Sequence, residues 1–211
     1  MYELTYFHLL KNTYSDELGD LYGDYAGRSA YLYTGLDAII DDPEAKWWDD
    51  VQTPETETRS DILRRSLLDA VLDVKQRLGS DPSAWRWRDI HPAVFKHALG
   101  QFWPLDWFFN RSVPVGGDNH TVNLGGFAGD NPFNVNAAPS FRMVVDLADV
   151  AHAFSTHTTG QSGRPSTLHY DDMIQPWADV EYHPMWMDKE DILAHAEGIL
   201  ILTPQDTAPG E

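Results

Sequence analysis

Residues 58–79 read TRSDILRRSLLDAVLDVKQRLG. From Leu63 the apolar residues Leu67, Val71, Val74 and Leu78 follow at steps of three and four, with Ile62 beside them, so they fall on one stripe of a 3.6-residue spiral. Thr58 and Asp61 occupy the two positions of a capping box, and Gly79 suits the place just past a helix C-terminus. The stretch is therefore an amphipathic helix whose apolar side needs a partner. Upstream, Leu4, Phe7 and Leu10, then Leu18, Leu21, Tyr22 and Tyr25, repeat the same spacing, so the first third of the chain reads as helical.

Between these helices, residues 41–57 (DDPEAKWWDDVQTPETE) are acidic and broken by Pro43 and Pro54, which marks a connection. Trp47 and Trp48 inside it read as anchors pinning the connection to the core rather than as a ligand platform. From Trp103 onward the character changes. Short β-branched or aromatic runs such as RMVVDL at 142–147 are bounded by Gly, Asn and Pro clusters, the signature of strands. A loop, TTGQSGRPS at 158–166, precedes expected short helices near 170–178 and 189–197 and an expected final strand at 198–202. Helices first and strands afterwards give an α+β class rather than alternating parallel units. Residues 1–100 form the helical part and 101–211 the sheet part of one domain. About three strands from the second half alone would leave faces and edges that call for partner strands.

The 211 residues exceed the commonest domain size of roughly 100 to 150. With 42% hydrophobic and 12% aromatic residues the chain is too apolar to be disordered. Its formal charge of -18 repels a phosphate backbone or an anionic membrane, so nucleic acid is not an expected partner. The absence of cysteine excludes disulfides, thiolate metal sites and a cysteine nucleophile. No stretch reaches the roughly 20 apolar residues of a membrane span, and the first twelve residues lack the form of a signal peptide.

Nine histidines invite a metal hypothesis, with His91, His120 and His169 as candidate ligands. There is no HExxH, and His91 and His97 lie six apart, which does not place both on one helical face. His169 with Asp171 and Asp172 is as readily a solvated surface group. GQSGR at 160–164 lacks the last glycine of GxSxG, so Ser162 reads as a turn residue whose hydroxyl bonds nearby backbone. Ser80 follows the end of the long helix and leads into Asp81-Pro82, a turn rather than a processing site. GGDNHTVN at 116–123 crowds polar groups beside strands. It is either a self-bonded loop or part of a site, and both readings stay open. Arg142 and Asp146, four apart on an expected strand, would share a face. They form either a structural ion pair or part of the catalytic surroundings.

WRWRDIHP (85–92), FFNRSVPVGGDNHTVN (108–123), APSFRMVVDL (138–147), TGQSGRPSTLHYDDM (159–173) and EYHPMWM (181–187) occur in an order and spacing that resembles the C-terminal β-chain of the penicillin acylase (penicillin amidase) family. That family also includes cephalosporin acylases and acyl-homoserine lactone acylases. DEL at 16–18, WWDD and TPETETRSDIL look like the helical region preceding those motifs in bacterial members. The resemblance covers nearly the whole chain. It departs at Arg88, where a Gly is common, at Ala98, where HPLG-like strings carry Pro, and at Thr167-Leu168-His169, where SPH is typical.

The resemblance implies part of the αββα sandwich of N-terminal nucleophile hydrolases and a parent enzyme that hydrolyses linear amides. In the family a Ser freed by precursor cleavage attacks the carbonyl, its own α-amino group acts as base, and an Asn side chain helps to hold the oxyanion. None of these matches a position here; they and the usual calcium ligands would lie in segments preceding Met1. No cofactor is expected of this chain, although the complete enzyme could carry calcium. Asp146 sits in the strand that looks equivalent to one bearing an acidic partner of an active-site His, which makes Asp146 and Arg142 the site residues to follow. The implied partners are the α-chain, the N-terminal part of the β-chain and a small acyl-amide substrate, with the complete parent in the periplasm or outside the cell. Alone, the chain is expected to be inactive. The alternative is a noncatalytic module that binds another chain through its uncovered sheet edge.

Overall fold

The computed structural model describes residues 1–202, apart from the side chain of Ser29. The helical half comprises α1 (Tyr2–Leu18), α2 (Tyr22–Ala26), α3 (Ser29–Ile39) and α4 (Arg59–Leu78). The sheet half comprises β1 (Pro92–Phe95), α5 (Leu105–Phe109), β2 (Arg111–Pro114), β3 (Phe141–Val144), β4 (His152–His157), α6 (Ile174–Ala178), β5 (His183–Trp186) and α7 (Lys189–His195). The α+β class stands, with the sheet part beginning at Pro92, ahead of the change in character at Trp103.

α4 starts where the capping box places it. Thr58 Oγ1 accepts from Asp61 N, and the Asp61 carboxylate accepts from Thr58 N at 3.1 Å. Gly79 closes the helix at φ 86°, a conformation that costs glycine least. The buried line along α4 is Ile62, Ser66, Ala70 and Val74, rotated from the expected stripe. α1 lies against this line, and small side chains at the crossing let two helix axes come close. Leu4 meets Ala70 and Val74 there, while Asn12 Nδ2 donates to Ser66 Oγ at 3.2 Å and to Asp69 Oδ2 at 2.9 Å. Leu63, Leu67, Leu68 and Leu72 remain exposed on the other side of α4.

A second cluster joins Leu9, Leu10 and Tyr14 of α1 to Leu32, Leu36 and Trp48. Trp48 is the expected anchor: it is fully buried, and its Nε1 donates to Asp42 O at 2.8 Å. Trp47 instead sits half-exposed on the edge of Tyr14. Arg65 of α4 clamps the acidic connection by pairing with Asp50 and Glu57, both at 2.8 Å.

The strands make two antiparallel sheets, β1-β2 and β3-β4-β5. Ala93, Val113, Val115, Ile174 and Trp177 form the cluster that holds α6 against the first sheet. Two expectations are corrected. Residues 198–202 form no strand, and Ile199 to Leu202 are at least 70% exposed, because no ladder partner is at hand among the described residues. β3 ends at Val144, so Asp146 lies beyond it in a turn and shares no strand face with Arg142.

Candidate functional site

The polar string at 116–123 folds back on itself between α1, α3 and the sheet half. Gly117 sits at φ 85°, and a Cβ there would come within 1.8 Å of Asn123 O, so the turn requires glycine. Thr121 Oγ1 accepts from Asp118 N and donates to Asn123 O, both at 3.0 Å. Asp118 Oδ1 accepts from His120 N, while Asn119 pairs through both side-chain ends with the Phe127 backbone. Trp87 Nε1 fastens the loop from below by donating to Gly117 O at 2.8 Å. Most of the string's hydrogen bonds therefore serve its own geometry, and the partly buried Asn123 side chain reaches across to the sheet half.

Asn123 Oδ1 accepts from Arg142 Nη2 at 2.7 Å, and Arg142 Nη1 donates to Trp177 O at 2.7 Å. The guanidinium lies over the Trp177 ring, 4.7 Å from its centroid. Its Nε is buried without a partner, and burial pulls the arginine below its usual pKa. Neither of the two acceptors is charged, and Arg142 makes no salt bridge with a carboxylate among the described residues. A half-buried cation held by neutral acceptors is electrostatically suited to meet an anion or a developing negative charge.

Asp146, the expected companion, is exposed, and its Oδ1 accepts from Ala148 N at 2.9 Å as a turn residue. The two site candidates are thus not brought together, and only Arg142 joins the motif loop. Two buried ionisable groups lie behind the loop. Glu3 is held at about 7 by burial first and the Asp118 carboxylate second. This residue was not singled out from the sequence, where one acid in a helix's first turn looks like ordinary capping. His91 is fully buried between Trp87 and Phe127, with both ring nitrogens unpaired, and burial lowers it to about 4.

The other candidates scatter. His120 meets Tyr33 edge-on, His169 pairs with Asp172 at 2.7 Å, and Ser162 Oγ accepts from Arg164 N. Among the described residues no group of three or more His, Asp or Glu could hold a metal ion. No serine or threonine hydroxyl among them is hydrogen-bonded to a histidine ring. Arg88, where the resemblance expects Gly, bonds Asp179 at 3.0 Å and Pro114 O.

The penicillin amidase family model matches residues 1–194. The chain belongs to the penicillin amidase family. Within it, the chain is 33% identical over 219 residues to the acyl-homoserine lactone acylase QuiP of Pseudomonas syringae pathovar tomato, covering 97% of this chain and 26% of that one. The QuiP acylase of Pseudomonas syringae pathovar syringae is 31% identical over the same shares. Penicillin acylase 2 proenzyme of a Pseudomonas species is 29% identical over 126 residues, 58% of this chain and 16% of that protein. The chain thus spans about a quarter of the length of the penicillin amidase relatives that it matches along nearly its whole length. Among the described residues, no helix of this penicillin amidase member is long and apolar enough to cross a membrane.

Proposed function

We propose that this chain is the C-terminal part of the catalytic β-chain of an acylase, within an N-terminal nucleophile hydrolase sandwich, and that it works on linear amides of the acyl-homoserine lactone kind. The observation that carries this reading is the similarity along 97% of the chain to relatives named as acyl-homoserine lactone acylases. Nucleophile and oxyanion-holding Asn come from another segment in this reading. Arg142, fixed by Asn123 and Trp177, orients the strand that reaches the active site and lends it positive potential. The exposed apolar stripe of α4 supports a requirement for the rest of such an enzyme.

The chain is assayed for amine release from an acyl-homoserine lactone and an acyl-anilide, first alone and then co-expressed with the upstream three quarters of a QuiP relative. Hydrolysis only in the co-expressed sample is the expected outcome. Turnover by the isolated chain would overturn the requirement for a separate nucleophile. The same exposed stripe favours a second reading, a noncatalytic module that binds another chain; it gains if the partner co-purifies and neither substrate is cut.

A further inference from the structure

The end of the β1-β2 hairpin and the Gly160 to Gly163 turn, to which the acylase reading assigns no chemical role, close around one cleft of about 210 Å³. Its walls are aromatic, formed by Phe95, Phe109 and Tyr170, with Ile174, only 7% exposed, among the lining. His97 lies flat on Phe109 at 4.6 Å and 15° and belongs to the same wall. Its Nδ1 accepts from Leu99 N at 3.1 Å, which leaves the proton of a neutral ring on Nε2.

The polar side of the cleft carries Lys96, Arg111, Thr159 and Ser162, and no carboxylate lines it. That is a selective feature in a chain with 33 acidic residues against 15 basic ones. Arg111 is engaged by Asp171 from outside the cleft, and its Nη1 donates to the carbonyls of Phe108 and Asn110. Lys96 has no ion pair among the described residues. The Ser162 hydroxyl accepts from Arg164 N at 3.1 Å, so its own proton is free to be donated.

The turn that presents these donors is over-determined. Gly160 N donates to Tyr170 O at 3.0 Å and Ser162 N to His169 O at 2.8 Å. A Cβ on Gly160 would come within 2.0 Å of His169 O, so this close approach needs glycine. Thr159 sits at φ 55°, a left-handed conformation unusual for a β-branched residue and of the sort that clusters at binding sites.

We propose that this cleft binds a small monocarboxylate, with its ring or short acyl chain among Phe95, Phe109 and Tyr170 and its carboxylate on Lys96 and the Thr159 and Ser162 hydroxyls. Apolar walls with a few convergent donors are the composition of a ligand site. A charge-assisted contact to an ammonium is the strong member of the set. The volume lies below the roughly 300 Å³ at which drug-sized pockets begin, which restricts the ligand to a single ring or a short chain. The site is separate from Arg142 and goes beyond the acylase reading, which could fail while this binding stands.

The full chain, labelled with nitrogen-15, is titrated with benzoate into the millimolar range, with benzamide and benzylammonium as the neutral and cationic controls. Benzoate is expected to shift the amides around residues 159–163 and 109–111 saturably, and the controls are expected to leave them in place. Lys96 is exposed and unpaired, so Lys96→Glu keeps the fold, and it should weaken benzoate binding about tenfold. Ser162→Ala should weaken it several-fold. Equal binding of benzamide, shifts spread over the chain without saturation, or an unchanged affinity in Lys96→Glu would each overturn the proposal.

Discussion

Glu3 and His91 are both buried behind the 116–123 loop, and their protonation works on stability with opposite sign. Glu3 is held at about 7 against 4.5 when unfolded, so between those values the folded state keeps a proton that the unfolded state loses. Stability therefore falls as pH rises through that window, with a cost on the order of 3 kcal/mol complete above about pH 7. His91 is lowered from 6.5 to about 4, so here the unfolded state holds the extra proton, and stability falls as pH drops through that range. Where the windows overlap the two slopes offset each other. Glu3→Gln should raise stability by about 2 kcal/mol above pH 7 and expose the acid-side slope of His91, read from urea midpoints across pH; a parent-like profile would show that Glu3 titrates normally. Arg142 gives a second residue-scale prediction. Arg142→Met leaves Trp177 O and Asn123 Oδ1 without their donor and should cost about 2 kcal/mol in chemical denaturation. Asp146→Asn, exposed and tied only to its own turn, should stay within about 0.5 kcal/mol.

At the scale of the element, α4 was legible in its ends and its period, because caps and stripes are local chemistry. Thr58→Ala should cost about 1 kcal/mol by removing the hydroxyl that accepts from Asp61 N, with Thr58→Ser restoring most of it in thermal denaturation. Which side of α4 packs was not legible in its leucines. The contact with α1 is set by the small residues Ser66 and Ala70, which admit a close neighbour and carry little hydrophobic signal of their own. Ala70→Leu should accordingly cost about 1 to 3 kcal/mol through overpacking, whereas Leu72→Gln on the exposed side should be near neutral. The expected strand at 198–202 failed for the complementary reason: β-branched and apolar composition becomes a strand only where a neighbour supplies the ladder. The site was legible as a string and not as a constellation. Asn123 stood inside the quoted motif, but its pairing with Arg142, 19 residues away, and the approach of Asp118 to Glu3 are products of tertiary packing that no local spacing announces.

For the whole molecule, two quantities oppose each other. A charge of -18 keeps copies apart, yet apolar groups stand out on several elements. Phe102, Trp103 and Trp107 at the β1-β2 connection are 72%, 85% and 80% exposed. Phe141, Met143 and Phe154 on the second sheet and the leucines of α4 add further uncovered area. Scattered exposed apolar residues are ordinary, whereas several sets of this kind on one chain mark surfaces made for contact. The chain spans about a quarter of the length of the relatives that it matches. The isolated chain should therefore associate with itself in sedimentation velocity, and the sign of the salt effect reports the cause. Raising ionic strength to about 0.1 M shortens the range of charge repulsion to about 10 Å and should promote association if apolar contact drives it. Trp103→Gln combined with Trp107→Gln should reduce that association while moving the unfolding free energy by no more than about 0.5 kcal/mol, since neither ring is buried. Association that salt dissolves would point instead to ion pairs between copies and remove the apolar connection from the contact.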